Sequence, residues 1–257
     1  MILRGSIIII LNLIIIAYFQ LHAIHNQSNE SLRKLLNKNG TLLVIAHPDD
    51  ETMFFGPLIL NLVDSGANLD ILCLSYGNSE GLGFKRSIEL RSVVDSLGPN
   101  VKLSLAEDGL FVDGINTNWD IERISGYIKS YIFKNIDKIG TIVTFDSDGV
   151  SRHPNHQAIH RAVKLLKSEN VLKSFKYFQL ISVNIFRKYL SLIDALVTKY
   201  MHLVDGKNDT VEIALEYRQY FKLKKLLELH ASQMVWFRKL YSVFSRYMLL
   251  NEFEPVT

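Results

Sequence analysis

The chain has 257 residues, 48% of them hydrophobic, and a formal net charge of +3 with a pI near 8.8. That length suits one α/β domain, or one domain with an extension, and it supplies ample side chains for a large core. The weak basic excess does not argue for nucleic acid, although it suits an anionic membrane face or a phosphorylated substrate. The single cysteine, Cys73, excludes an internal disulfide, and its apolar surroundings read as those of a buried, inert thiol.

The first element is apolar. Residues 6–19, SIIIILNLIIIAYF, extended through Leu21 and Ile24, approach the ~20 residues that a membrane helix needs. A cleaved signal peptide is the competing reading, but the bulky stretch FQLHAIHNQ has no small-x-small cleavage site. An uncleaved anchor over residues 1–24 is therefore expected. Arg33, Lys34 and Lys38 on one flank outweigh Arg4 on the other, and this leans towards a cytoplasmic body. Four Asn-x-Ser/Thr acceptors, at Asn26, Asn29, Asn39 and Asn208, would then stay unmodified.

Residues 25–40 read as a polar linker with a short amphipathic turn. From there strand-like runs at 41–46, 69–75, 101–105, 140–146 and 177–183 alternate with helix-like runs at about 52–65, 84–97, 119–137 and 154–168. The alternation predicts parallel βαβ units, and the continuous apolar runs predict strands buried on both faces. The expected fold is a Rossmann-like α/β sandwich with a parallel sheet, its core over residues 41–183. Residues 184–257 read as a helical extension, apolar but studded with Arg, Lys and Tyr. It packs on the core, or it lies at a membrane interface with Trp236, Phe237, Tyr241 and Phe244 at headgroup depth and Arg238, Lys239 and Arg246 beside phosphates.

Chemistry gathers at two strand ends. In a parallel sheet, ligands bind beyond the carboxyl ends of the strands. His47 follows the first strand directly, with Asp49, Asp50 and Glu51 behind it. Helix capping accounts for one acid there, not for two acids, a histidine and Glu51. The fourth strand ends at Asp146 and runs into SDGVSRHPNHQAIHRAV, where His153 and His156 stand three apart around Pro154. His156 with His160 is a rival pair, but His160 lies deeper along the helix and reads as structural. Imidazole and carboxylate together suit zinc or a similar divalent metal, and two His with one Asp leave positions open, as a catalytic ion requires. The residues alone point to metal-assisted hydrolysis of an amide or ester, with no Ser or Cys nucleophile.

AHPDDE at 46–51 followed by HPNH at 153–156 resembles the LmbE-like, or PIG-L-like, de-N-acetylases. LSYGNSEGLGFKRSIEL at 74–90, TFDSDGVSRHPNH at 144–156 and SQMVWFRKLYSVFSRYM at 232–248 are similar to the eukaryotic branch of that family. With the anchor, the resemblance covers nearly the whole chain. It implies removal of acetyl from N-acetylglucosaminyl-phosphatidylinositol, an early step of glycosylphosphatidylinositol-anchor synthesis, at the endoplasmic-reticulum membrane. It implies His47, Asp50 and His156 as ligands of a divalent metal, zinc by expectation. Asp49 would be the general base, and His153 the oxyanion stabiliser or general acid. Arg86 and Asp108 would touch sugar hydroxyls, although Arg86 could equally pair with Glu89 on its own helix. Glu51 reads as a first-turn acid complementing the helix dipole. Gly77, Gly81 and Gly83 would shape a substrate loop. Many relatives have glycine where this chain has Arg152, which would put a cation beside the site.

Two other readings compete. One keeps the chemistry on a soluble N-acetylglucosamine conjugate, against which the anchor and the aromatic-basic tail speak. The other is a membrane-tethered interaction protein without catalysis, which the full set of site residues disfavours.

Overall fold

A computed structural model describes residues 2–37, 39–170, 172–205 and 210–257. Chain order gives α1 (Ile2–Leu35), β1 (Gly40–Ile45), α2 (Asp50–Phe54), α3 (Gly56–Asp64), β2 (Leu69–Cys73), α4 (Gly83–Leu97), β3 (Val101–Leu105), α5 (Ile121–Lys134) and β4 (Ile139–Phe145). There follow α6 (Gly149–Arg152), α7 (Pro154–Ser168), β5 (Lys176–Leu180), α8 (Ile185–Lys188), α9 (Asp194–Asp205), β6 (Val211–Ala214), α10 (Tyr217–Glu228), α11 (Trp236–Phe244) and β7 (Leu250–Pro255).

The seven strands form one sheet in the order β3-β2-β1-β4-β5-β7-β6. β1 to β5 are parallel neighbours, while β7 runs antiparallel to both β5 and β6. The order in which successive strands are added reverses between β1 and β4, which makes the gap beyond their carboxyl ends the binding crevice of a doubly wound sheet. Alternation within β1 serves both faces. Leu43 and Ile45 enter the core under α3, α4 and α10, and Leu42 and Val44 enter the one under α5 and α7. Burial on both faces is why these strands are continuous apolar runs.

The helix α1 corrects the expected linker. It continues unbroken through residues 25–35 instead of stopping at a polar turn. Its first half is exposed and apolar, with Ile7 to Phe19 presenting large side chains outward. The helix is long and apolar enough to cross a membrane, with a mean hydropathy of 2.3 in its most apolar window. Its second half buries Ala17, Leu21, Ile24, Ser28, Leu32 and Leu35, spaced three or four apart on one face. Ser28 Oγ accepts from the Ala214 amide (3.1 Å) and His25 Nδ1 meets the Ala214 carbonyl (2.9 Å), so the helix satisfies part of the backbone of the edge strand β6.

The tail is likewise not purely helical. β6 and β7 come from it and extend the sheet beyond β5. Of the two readings of the tail, Arg246 follows core packing, not lipid phosphates: it is fully buried and paired with Asp194 and Glu252. The sequence hid these strands because each is short and adjoins longer helix-like runs.

Candidate metal and active site

β1 ends at Ile45 and the chain turns sharply through Asp49, whose φ of 115° lies in the left-handed region. Such a conformation in a non-glycine residue costs on the order of 1–3 kcal/mol and survives only where neighbours fix it. Here Glu51 Oε2 accepts from the Asp49 amide (3.0 Å), and Glu51 is itself bonded to His230 Nε2 (2.5 Å). Glu51 is completely buried, so it is a partner of His230 rather than an exposed first-turn acid. Burial opposes a charged His230, but Glu51 prevails and raises its pKa. Neither aspartate caps α2 through its side chain. Asp50 Oδ2 accepts instead from the amides of Ala46 (3.1 Å) and His47 (2.9 Å), which leaves Oδ1 facing His156 Nε2 at 3.3 Å.

The second junction follows β4. Asp146 accepts from the amides of Asp148, Gly149 and Ser182, and so it ties the loop down. Gly149 has φ of 57°, and a Cβ there would stand 2.7 Å from His156 Cβ, so glycine is needed on both counts. Its carbonyl takes His156 Nδ1 at 2.9 Å. His153 caps α7, with its Nδ1 accepting from the Asn155 amide (3.3 Å). In the neutral ring this puts the proton on Nε2.

The two junctions converge. His47 Nδ1 lies 3.3 Å from His156 Nε2 and 3.7 Å from Asp50 Oδ2. His47 Nε2 meets Asp113 Oδ1 at 3.0 Å, and the side-chain nitrogen of Asn155 lies 3.1 Å from it. A carboxylate behind one imidazole and a carbonyl behind the other fix the tautomers, so both remaining lone pairs point at one place beside Asp50 Oδ1. This donor set fits a divalent metal held by His47, Asp50 and His156. His153 offers a further nitrogen: ring nitrogens of His47, His153 and His156 lie within 4.8 Å of one another. His160 bonds the Phe145 carbonyl (3.3 Å), as a structural histidine would.

These groups line a cavity of about 390 Å³ together with Asp49, Arg86, Asp113, Lys188, Tyr189, Phe237, Arg238 and Tyr241. Its charges are graded. Burial raises the pKa of Asp49, with Asp50 adding to the rise, against Arg238 (2.9 Å) and Arg86 (3.6 Å). Burial also works against charge on Asp50, but His156 and His47 hold its pKa well below the usual range. Asp113 sits at about 2 because the His47 hydrogen bond and charge outweigh burial. Desolvation, then the charges of His47 and His156, lower His153 to about 4.

Six of the seven expected site residues are brought together: His47, Asp49, Asp50, Arg86, His153 and His156. Asp108 is not; it is exposed in the loop after β3, and the aspartate that lines the cavity is Asp113. Arg86 does not pair with Glu89, which accepts instead from Ser232 (2.8 and 2.6 Å). Arg86 donates to the carbonyls of Gly77 and Pro48 (both 2.8 Å) and faces Asp113 at 3.6 Å. Gly77 makes room for Arg86, since a Cβ would lie 2.5 Å from its guanidinium. Arg152 is exposed beside Asp148 and does not line the cavity. Its φ of 58° is why glycine is natural at that position. The sequence reading missed Asp113, His230 and the inward turn of Arg238. A single Asp and a single His carry no periodic signal, and the pattern around Arg238 fits core packing and a membrane interface equally.

A family model described as PIG-L, GlcNAc-PI de-N-acetylase, matches residues 42–166. The N-acetylglucosaminyl-phosphatidylinositol de-N-acetylase of Bos taurus is 39% identical over 213 residues, covering 82% of this chain and 81% of that protein. A probable N-acetylglucosaminyl-phosphatidylinositol de-N-acetylase of Schizosaccharomyces pombe is 36% identical, covering 90% and 92%. Among solved structures, a triple mutant of a deacetylase of the teicoplanin biosynthetic pathway superposes with a TM-score of 0.58 at 15% identity, covering 84% of this chain and 97% of that one. This last likeness concerns the fold.

Proposed function

This chain belongs to the PIG-L family of GlcNAc-PI de-N-acetylases, and from that premise we propose that it cleaves the acetamide of N-acetylglucosaminyl-phosphatidylinositol to give glucosaminyl-phosphatidylinositol and acetate. That it is an enzyme hydrolysing N-acetyl groups follows from the family. The observation that carries the site assignment is the convergence of His47 Nδ1, His156 Nε2 and Asp50 Oδ1 at the switch point, with Asp49 and His153 beside them in one cavity.

His47, Asp50 and His156 would hold the ion, by expectation zinc. When bound, it lowers the pKa of a water molecule and polarises the amide carbonyl. Asp49 accepts the proton of the attacking water; its burial makes it a stronger base than an exposed aspartate, and Arg238 and Arg86 favour its ionised form. His153 lines the cavity, and its Nε2–H would stabilise the developing oxyanion, while the proton taken up by Asp49 passes to the leaving amine. A neutral His153 at physiological pH follows from its lowered pKa. Arg86 and Asp113 form the wall against which sugar hydroxyls would be oriented.

The membrane half of the proposal rests on the exposed apolar face of α1. It places the enzyme in the endoplasmic-reticulum membrane with residues 1–24 as anchor and the catalytic body in the cytoplasm. Asn39 is exposed on the body and reports orientation, whereas Asn208 lies outside the described residues. The decisive experiment assays the full-length protein in detergent against the glycolipid and a soluble N-acetylglucosamine conjugate, with metal content measured in parallel. Acetate release from the glycolipid by metal-loaded protein is expected. Equal or faster turnover of the soluble conjugate would overturn the lipid assignment, and a glycosidase-sensitive mass shift at Asn39 would overturn the orientation.

A further inference from the structure

The cavity carries one cation for which the deacetylation chemistry has no use. Lys188 closes the short helix α8 and lines the cavity near Tyr189, Phe237 and Arg238. Its backbone is held in place: Asn184 caps α8 through the Arg187 amide (3.0 Å), and the Arg187 guanidinium grips Asp194 (2.8 and 3.1 Å) and Thr198 (2.8 Å). The ammonium of Lys188 lies 5.7 Å from the centre of the Phe54 ring. Among the described residues no carboxylate stands within ion-pairing distance of it. Desolvation, and then the neighbouring charge of Arg238, lower its pKa to about 8.

The other charges of the cavity are compensated. Arg86 and Arg238 flank Asp49, Arg86 and His47 flank Asp113, and Asp50 lies between His47 and His156. Lys188 beside Arg238 is therefore excess positive charge in a partly desolvated place, and an anion bound there would relieve the repulsion. Around α8 and α11 the surface becomes apolar: Ile185 is 65% exposed, Phe186 81%, Trp236 73%, Phe237 53% and Leu240 50%. The cavity, at about 390 Å³, is at the small end of ligand pockets and suits a sugar headgroup better than acyl chains. The cavity thus brings together the histidine cluster, a cation without a carboxylate partner among the described residues, and exposed apolar side chains on α8 and α11.

We propose that Lys188, with Arg238 beside it, is a subsite for the phosphodiester of a glycolipid, with the sugar directed towards His47 and His156 and the acyl chains leaving across Phe186 and Trp236. This rests on the lipid-substrate reading above. The test uses full-length protein in neutral-detergent micelles, titrated calorimetrically with glycerophosphoinositol, a water-soluble phosphodiester, and with myo-inositol and inorganic phosphate as controls. Glycerophosphoinositol is expected to bind more tightly than either control. Lys188→Gln should weaken it about tenfold or more, and Lys188→Arg should restore most of the loss. No binding to the unsubstituted protein, undiminished binding to a folded Lys188→Gln variant, or inorganic phosphate binding as tightly as the phosphodiester would each overturn the subsite. A parallel acetate-release assay of the unsubstituted protein on the glycolipid separates the two ideas. Its failure sinks the substrate reading, whereas turnover together with unaltered binding in Lys188→Gln sinks the subsite alone.

Discussion

The cavity has two walls of different origin. The inner wall is made by His47, Asp49, Asp50, His153 and His156, from the junction of β1 with α2 and the start of α7 beyond the adjacent parallel strand β4. The outer wall is made by Lys188, Tyr189, Phe237, Arg238 and Tyr241, which reach the site only because the tail folds back over α2. Tyr241 donates to the Met53 carbonyl (2.7 Å), and Arg238 donates to Asp49 (2.9 Å), 189 residues away in sequence. The inner wall holds the groups suited to bond-breaking. The outer wall sets the charge of the base and the route by which substrate enters, so damage to the two walls should look different.

The largest effect belongs to the inner wall. His156→Ala is expected to lose most bound metal and nearly all activity while the fold persists, checked by elemental analysis and circular dichroism. Metal content unchanged in that variant would move the ligand set, with His153 next in place. Asp49→Asn comes second. It should keep the metal and lose about 10²–10⁴-fold in kcat, because the amide cannot take the water proton. An emptied metal site would make Asp49 a ligand instead.

Effects at the outer wall are smaller. Arg238→Gln removes a charge-assisted hydrogen bond worth about 1.5–3 kcal/mol, so a loss of about tenfold or more is expected. Arg238 opposes the rise in the Asp49 pKa, so its removal raises that pKa further. The base must be ionised to act, and the acid limb of the pH–rate profile should therefore move to higher pH. An unmoved limb would mean that Arg238 acts by shape alone. The smallest effect lies where the tail is fastened to the sheet. His202 bonds Glu212 and Glu252, and these hydrogen bonds raise its pKa to about 9 from an ordinary 6.5. The folded-state pKa is raised, so the contribution is whole below about pH 6.5 and disappears as the pH climbs through 9. Allowing for partial exposure, His202→Gln should cost about 2 kcal/mol in unfolding experiments at pH 6 and little above pH 9.5. A pH-independent cost would show that packing, not charge, fastens the tail.

Much of the sheet was legible because buried parallel strands are continuous apolar runs, and β1 to β5 fall within a residue or two of the expected spans at their starts. The metal-facing residues were legible because His47 and Asp50 follow directly on β1, and His156 lies in the first turn of the helix that follows β4. β6 and β7 were not, since strands of four and six residues are too short for a pattern to stand out. The continuity of α1 was missed because its polar second half shows apolar residues only on the face that β6 and α9 cover.

The sequence by itself determined the parallel core, the apolar N-terminal helix and the inner wall, because these depend on periodicity and on neighbours within about a dozen residues. Only the tertiary structure decided that Asp113, not Asp108, lines the cavity, that His230 pairs with Glu51, and that Arg238 turns inward to Asp49 while Trp236 beside it faces out. Those choices are made by charges that meet across the fold in partly desolvated space, where each buried carboxylate needs a counter-charge and nothing in its local sequence says which one will arrive.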